Sequence, residues 1–412
     1  MRVLTIFERI AQIPHCSGNT GQLGKFIQSF AKRCGYKVEK DNAGNILCYR
    51  KERDICLQAH YDMVCVGKAP QIQLFEKDGW LGAQGSSLGA DNGIGVAIML
   101  ALMEERSEAE FLFTNDEEIG LVGAKGLGLE LKASRMLNLD SEEFGKVYVG
   151  CAGGVDLIAS KSCIKKRADH LYFYSVTAKN FPGGHSGVDI DKDIPNAIKA
   201  FAYFAKESRV AWLSAGERLN SIPAHLQGVV ATKKPLLSNE WFDVMPMQVQ
   251  SVVDKDIWTM VCSFADGVRG WQKEFTIPSR SANLAKISVH ENLVVECSLR
   301  ANSDEDLDSL ECEYEAFFKS FGLEVEARDR YGAWKPVITP FAKEVRQVYE
   351  RYGGGYFAAI HAGLECAVFA QKYPSMQIAS IGPTIHSPHS VHERLKLADV
   401  EPIFAIAKEL IG

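Results

Sequence analysis

Arg53-Asp-Ile-Cys-Leu-Gln-Ala-His60-Tyr-Asp62 is a short apolar run that ends on a histidine and an acid, and a period of two places His60 and Asp62 on one face at its end. Three more apolar runs end in the same way. Glu110-Phe-Leu-Phe-Thr114 leads into Asn115-Asp-Glu-Glu118, and Arg135-Met-Leu-Asn-Leu139 ends on Asp140-Ser-Glu-Glu143. Far along the chain, Gln377-Ile-Ala-Ser-Ile381 opens into Gly-Pro-Thr-Ile-His386-Ser-Pro-His389. In open α/β sheets ligands bind just beyond the carboxyl ends of the strands, so residues of these types at four strand ends predict one site.

Between the first two runs lies Gly85-Ser-Ser-Leu-Gly-Ala-Asp91-Asn-Gly-Ile-Gly95, followed by Val96-Ala-Ile-Met-Leu-Ala-Leu-Met103, which has the residue types of a buried helix. Asp91 stands where that helix begins and reads either as its N-cap or as a metal carboxylate. The glycines are not a phosphate cradle, because neither Gly-Lys-Ser/Thr nor Gly-x-Gly-x-x-Gly spacing is present.

Three of the four strand ends lie before about residue 168, and the fourth returns only after residue 377, so one sheet draws on both ends of the chain. The expected architecture is therefore an α/β catalytic domain with a mixed sheet, built from residues 1–168 and 333–412, with residues 169–332 inserted as an α+β domain. The insert reads as strands near 171–178, 285–289, 293–300 and 323–330 and strands either side of Asn220-Ser-Ile-Pro223. Its helices are expected at about 195–207 and 304–321, with a longer helical region from Trp241 to Trp271, giving helices packed on an antiparallel sheet.

A chain of 412 residues can bury a large core, and 46% apolar with 24% charged residues is the composition of an ordinary globular protein. The net charge of −6 is spread along the chain with no basic patch, so no nucleic-acid partner is expected. Val96–Met103 falls far short of the ~20 apolar residues that span a bilayer, and Glu8 and Arg9 interrupt any signal-peptide core. A cytoplasmic protein with no membrane partner is the expectation. Its 11 cysteines, among them Cys56, Cys65, Cys151 and Cys366, lack a framework spacing and read as reduced, buried packing residues.

Histidines and carboxylates without cysteine favour zinc, manganese or cobalt. Two such ions sharing a carboxylate suit amide hydrolysis, with a neighbouring acid moving the proton. Glu117 and Glu118 are adjacent, so one can face the metal and the other the water, while Asp62 has the position of a carboxylate that orients a ligating imidazole. Spacing alone does not rank His386, His389 and His392 as ligands.

The chain resembles the co-catalytic di-zinc metallopeptidase family that includes aminoacylase and carboxypeptidase G, and in particular its dipeptidase branch. The resemblance rests on His60-Tyr-Asp-Met-Val64, Leu88-Gly-Ala-Asp-Asn-Gly-Ile-Gly95, Thr114-Asn-Asp-Glu-Glu118, Asp140-Ser-Glu-Glu143, Gly150-Cys-Ala-Gly-Gly154, Gly183-Gly-His-Ser-Gly187, His361-Ala-Gly-Leu-Glu365 and Gly382-Pro-Thr-Ile385 with Pro388-His-Ser390. It implies two zinc ions per subunit, with manganese or cobalt as substitutes, bridged by Asp91. His60 and Asp140 would complete one site, Glu118 and His389 the other. It further implies Glu117 as general base, Asp62 as partner of His60, and His185 as a lid histidine that stabilises the oxyanion, in dimeric relatives from the partner subunit. Arg300, Glu365 and Asn220 are the expected substrate contacts; from the residues alone Arg300 reads first as a surface ion pair, Glu365 as a helix-surface acid and Asn220 as a hairpin turn.

Hydrolysis of dipeptides with a free amino terminus, Xaa-His and others, by a homodimer formed through the inserted lid is the expected function. A tripeptidase, a carboxypeptidase or an N-acyl amino acid deacylase is the alternative on the same metal core. A metal-stabilised binding protein would have no need of Glu117, and a di-metal phosphoesterase would need a basic phosphate clamp. The chain departs from the family in a shorter lid and in Ser390-Val-His-Glu393, where Ser-Pro-Asp-Glu is usual; the roles of His361 and His392 stay open.

Overall fold

Four of the strands that carry the expected site lie side by side and point the same way. A computed structural model of the chain describes residues 2–51, 53–168, 171–248, 251–253 and 256–412. Within it Ile55–His60 pairs parallel with Glu110–Thr114 on one side and Arg135–Asn138 on the other, and Gln377–Ser380 pairs parallel with Arg135–Asn138. Parallel pairing brings all four carboxyl ends to one edge, which is why ligands from positions more than 300 residues apart can meet.

These four form the centre of an eight-stranded sheet that continues on one side through Ile46–Tyr49 and Lys37–Lys40, and on the other through Lys146–Cys151 and Tyr356–Ile360. The flanking strands that pair antiparallel make the sheet mixed. Ile55–His60 and Glu110–Thr114 are buried at every position, as expected of strands covered on both faces. The helix Ala90–Glu104 packs on Ile55–His60 and is contacted in turn by the helices Arg2–Ala11 and Val400–Ile411. Its mean character is apolar all round, so burial rather than amphipathicity holds it.

The chain divides into two units. One comprises residues 1–150, 336–359 and 364–412, the other 151–335 and 360–363. The expected boundary at residue 168 therefore lies too late by more than a strand. Gly153–Ser162 pairs along its whole length with Asn292–Ala301 and also with Glu324–Tyr331, so it belongs to the second unit's sheet. The expected boundary at 333 moves to 336 for the same reason, and residues 169 and 170 lie outside the described set.

The second unit is a nine-stranded antiparallel sheet in the order Phe242–Met247, Tyr172–Ala178, Leu226–Thr232, Arg209–Ala215, Ile277–Val289, Asn292–Ala301, Gly153–Ser162, Glu324–Tyr331, with Gly267–Gln272 alongside Ile277–Val289. Helices Ala197–Phe204, Asp256–Ser263 and Asp304–Ser320 all feed one core against it, through Phe201, Trp258 and Phe318 among others. Asn196 and Ser303 cap two of them by accepting backbone N–H bonds. The helical region expected from Trp241 to Trp271 is corrected: its described residues hold the strands Phe242–Met247, Ser251–Val252 and Gly267–Gln272 around one short helix.

The cysteine expectation also needs correction. Cys16 and Cys65 form a disulfide. The bridge ties the loop after the first helix to the segment that follows His60, where Ser17 N–H also donates to the Met63 carbonyl. Cys56, Cys151 and Cys366 are buried thiols.

Candidate metal centre

His60 closes its strand 1% exposed, and its ring is held from behind by Asp62. Nδ1 lies 3.1 Å from the Asp62 carbonyl oxygen and 3.5 Å from the Asp62 carboxylate. Both contacts call for a proton on Nδ1, which leaves Nε2 with its lone pair facing forward. Asp62 does more than face the imidazole. Its carboxylate accepts from Ser17 Oγ at 2.8 Å, from Glu117 N–H at 3.0 Å and from Glu118 N–H at 3.3 Å, so one buried acid orients the histidine and the backbone of the acid pair together.

In front of His60 the two oxygens of Asp91 part company. Oδ1 lies 3.1 Å from His60 Nε2, which is also 3.3 Å from Asp140 Oδ1. Oδ2 lies 3.0 Å from His389 Nε2, which is 2.9 Å from Glu118 Oε1. Two three-residue groups thus share Asp91: His60, Asp91 and Asp140, then Asp91, Glu118 and His389. A third grouping, His60 with Glu117 and Glu118, puts Glu117 beside them.

The donor set fits two divalent cations. Each imidazole nitrogen faces two carboxylates, yet one N–H can serve only one of them, and Asp140 Oδ1 and Glu118 Oε1 are buried without a hydrogen-bond partner among the described residues. Two ligands on a tetrahedral ion with bonds of ~2.0–2.1 Å stand ~3.3 Å apart, close to the spacings found here. Nitrogen and oxygen donors without thiolate suit zinc, manganese or cobalt.

Burial and close neighbours shift the titration of these groups. Burial opposes a charge on His60, but attraction to Asp140, with bonds to Asp62 and Asp91, outweighs it and holds the pKa well above its ordinary value. Burial likewise opposes the charge on His389, yet Asp91 and Glu118 raise it to about 11. Burial raises Asp140 and Glu118. It also raises Glu117 well above the carboxylate range; His60 pulls the other way, while Asp140, Glu118 and Glu365 push further up.

His386 and His392 stand apart from these groups. His386 packs against Trp80 with ring centroids 4.7 Å apart and the rings tilted by 38°, and takes a bond from Arg394, while His392 lines a cavity of about 600 Å³ with Trp80 and Arg394.

Glu365 is fully buried, not a surface acid. Its Oε2 accepts from Thr114 Oγ1 and Gln58 Nε2, each at 2.6 Å, and Oε1 has no partner among the described residues. Burial pushes its carboxyl up to about 8, against the pull of His60. Gln58 and Thr114 were missed in the sequence because neutral residues inside an apolar run carry no chemical signature.

The second unit holds the remaining candidates. The short strand Gly184–His185 pairs with Ser221–Ile222, and Ser186 N–H donates to the Asn220 carbonyl, so His185 and Asn220 are neighbours. His185 Nδ1 accepts from the N–H groups of Gly187 at 3.1 Å and Val188 at 3.2 Å, which places the ring proton on Nε2. Arg300 is 7% exposed, not paired at the surface; it donates to the Tyr331 hydroxyl at 2.7 Å, and its Nε is buried without a partner among the described residues. Ser281, opposite Arg300 in the sheet, bonds His361 Nε2 at 2.8 Å. Burial, with Arg300 nearby, lowers His361 to about 3.

A mixed α/β sheet with paired His-carboxylate groups at its strand ends defines a metallopeptidase class, and the family comparison agrees: the chain belongs to Peptidase family M20/M25/M40, whose sequence model matches residues 56–412. It is a hydrolase acting on peptide bonds. Among individual relatives, it is 31% identical over 466 aligned positions to the cytosol non-specific dipeptidase of Escherichia coli, covering 98% of this chain and 96% of that protein. It also resembles the crystal structure of aminoacylhistidine dipeptidase from Vibrio alginolyticus, at 28% identity and a TM-score of 0.83 over 100% of this chain and 96% of that one. A tripeptidase from Staphylococcus aureus shares the fold at 16% identity, with a TM-score of 0.62 over 100% of this chain and 97% of that one.

Proposed function

We propose that the chain is a metal-dependent dipeptidase that cleaves dipeptides with a free amino terminus, Xaa-His among them, with two zinc ions per subunit and manganese or cobalt as substitutes. The observation that carries it is the division of the Asp91 oxygens between His60 with Asp140 and His389 with Glu118. The names of the relatives from Escherichia coli and Vibrio alginolyticus support the substrate class and, for the former, a cytoplasmic location.

When bound, the two ions would polarise the scissile carbonyl and make a water acidic near neutral pH. Glu117 would take that water's proton and deliver it to the leaving amine. Asp62 would hold Glu117 in place through its backbone N–H while fixing the Nδ1 proton of His60. With its proton on Nε2, His185 would donate to the oxygen that becomes negative as the carbonyl is attacked. The buried guanidinium of Arg300 would take the substrate carboxylate, with Asn220 as a further contact. Glu365 would receive the substrate's amino group. A homodimer through the second unit is supported by its edge strand Phe242–Met247, where Met245 and Met247 are exposed. Among the described residues no helix is long and apolar enough to cross a membrane.

Zinc-loaded protein tested on an Xaa-His dipeptide, an unrelated dipeptide, its amino-blocked form and a tripeptide should cleave the free dipeptides. Preference for the blocked compound moves the assignment to a deacylase, and turnover of the tripeptide alone moves it to a tripeptidase.

A further inference from the structure

Glu393 is 4% exposed, and its carboxylate accepts four successive backbone N–H groups. Oε2 takes Leu88 at 2.7 Å and Gly89 at 3.1 Å; Oε1 takes Ala90 at 2.8 Å and Asp91 at 3.3 Å. These amides belong to the segment that leads into the helix Ala90–Glu104, whose backbone is still non-helical at Asp91 and Asn92 and whose start has no local side-chain cap. Four adjacent buried N–H groups need acceptors, and a carboxylate from elsewhere in the chain satisfies them together through charge-assisted bonds. Gly89, at φ +71°, makes the turn that points them together, and a Cβ there would stand 2.8 Å from Met63 Sδ.

The position of Glu393 in sequence is the second half of the argument. Its own N–H donates to the Ser390 carbonyl, and Ser390 Oγ donates to the Ser387 carbonyl, so the carboxylate is fastened to the loop that presents His389. One side chain therefore joins the backbone of Asp91 to the loop of His389, the two residues whose side chains meet at 3.0 Å. We propose that Glu393 is a positioning residue that sets Asp91 and His389 in register as ligands. This rests on the reading of those two residues as ligands.

The test is metal affinity of the folded protein, measured by competition with a chromophoric chelator for zinc, on wild type, Glu393→Gln, Glu393→Asp and Asp91→Asn. Glu393→Gln keeps the shape and one accepting oxygen but turns an NH₂ group toward these amides. It is expected to retain the fold by circular dichroism and lose 10- to 100-fold in zinc affinity, the usual range for a residue supporting a metal ligand, with Glu393→Asp between it and wild type. Wild-type affinity in folded Glu393→Gln, with affinity lost in Asp91→Asn, overturns the proposal and leaves Glu393 an acceptor for backbone amides only. Failure of Glu393→Gln to fold with or without zinc overturns it as well. Unchanged affinity in Asp91→Asn overturns instead the reading of Asp91 as a ligand.

Discussion

At the scale of single residues, the proposed chemistry turns on which acids would hold cations and which would stay free to move a proton. Glu117 and Glu118 are neighbours in sequence, but only Glu118 reaches His389, and Asp62 pins the backbone of both. Glu117→Gln should therefore lower kcat by ~10²- to 10⁴-fold, the range for losing a general base, while zinc content by elemental analysis stays at the wild-type value; loss of the metal would make Glu117 a ligand instead. His361 gives a prediction in pH. Its pKa is lowered to about 3 in the fold against 6.5 for an unperturbed histidine, so between these values the unfolded chain binds the extra proton. Its contribution is complete above about pH 6.5 and drains away as pH falls toward 3. In metal-free protein, His361→Gln should flatten the pH dependence of urea unfolding across that window, and an unchanged slope would show that His361 is protonated in the fold. His60, Glu118 and Asp140 could be singled out in the sequence because each follows an apolar run, whereas Asp91 stands ahead of one and His389 was chosen over His386 and His392 only by the family resemblance. Glu365 and Arg300 were not resolved between surface and site, because burial of a charged residue late in the chain depends on partners such as Thr114 and Tyr331 that no local pattern announces.

Among elements, the four parallel strands were readable because continuous apolar runs with turn signals mark buried strands. The stretch from Trp241 to Trp271 misled, since mixed apolar content in an edge strand and a short helix shows neither period cleanly. The Cys16–Cys65 link was invisible for a different reason: its partners are brought together by the pairing of the loop after Ala11 with the segment after His60, not by spacing. Denatured, unreduced protein should titrate nine thiols, rising to eleven after reduction. Eleven before reduction would place the pair in the dithiol state. Chain entropy for a separation of 49 residues gives the bridge about 4 kcal/mol, so a reductant should lower the midpoint of chemical unfolding measurably.

For the whole molecule, two cores stand on separate stretches of chain, and every residue of the two His-carboxylate groups lies in the unit of residues 1–150, 336–359 and 364–412. Phe318 is fully buried in the other core. Phe318→Ala should cost about 3–5 kcal/mol in calorimetry or denaturant unfolding, yet leave the zinc-induced gain in the first unit's midpoint intact; loss of that gain would mean that the two cores unfold as one. The insertion itself was legible, since one sheet had to be drawn from both ends of the chain, but its seam fell at Cys151 because the strand Gly153–Ser162 has partners only in the second sheet.

The order of strands in the first sheet also governs how the protein is made. Gln377–Ser380 lies between Arg135–Asn138 and Lys146–Cys151, so a nascent chain that has emerged only as far as the second unit holds two strands with the slot between them open. At ~5–20 residues per second, the span from residue 150 to 377 takes tens of seconds to translate. For that interval the ribosome carries an incomplete sheet with unpaired edges, holding His60, Asp91 and Asp140 but not yet His389, so only one of the two His-carboxylate groups can form before the last stretch of chain emerges.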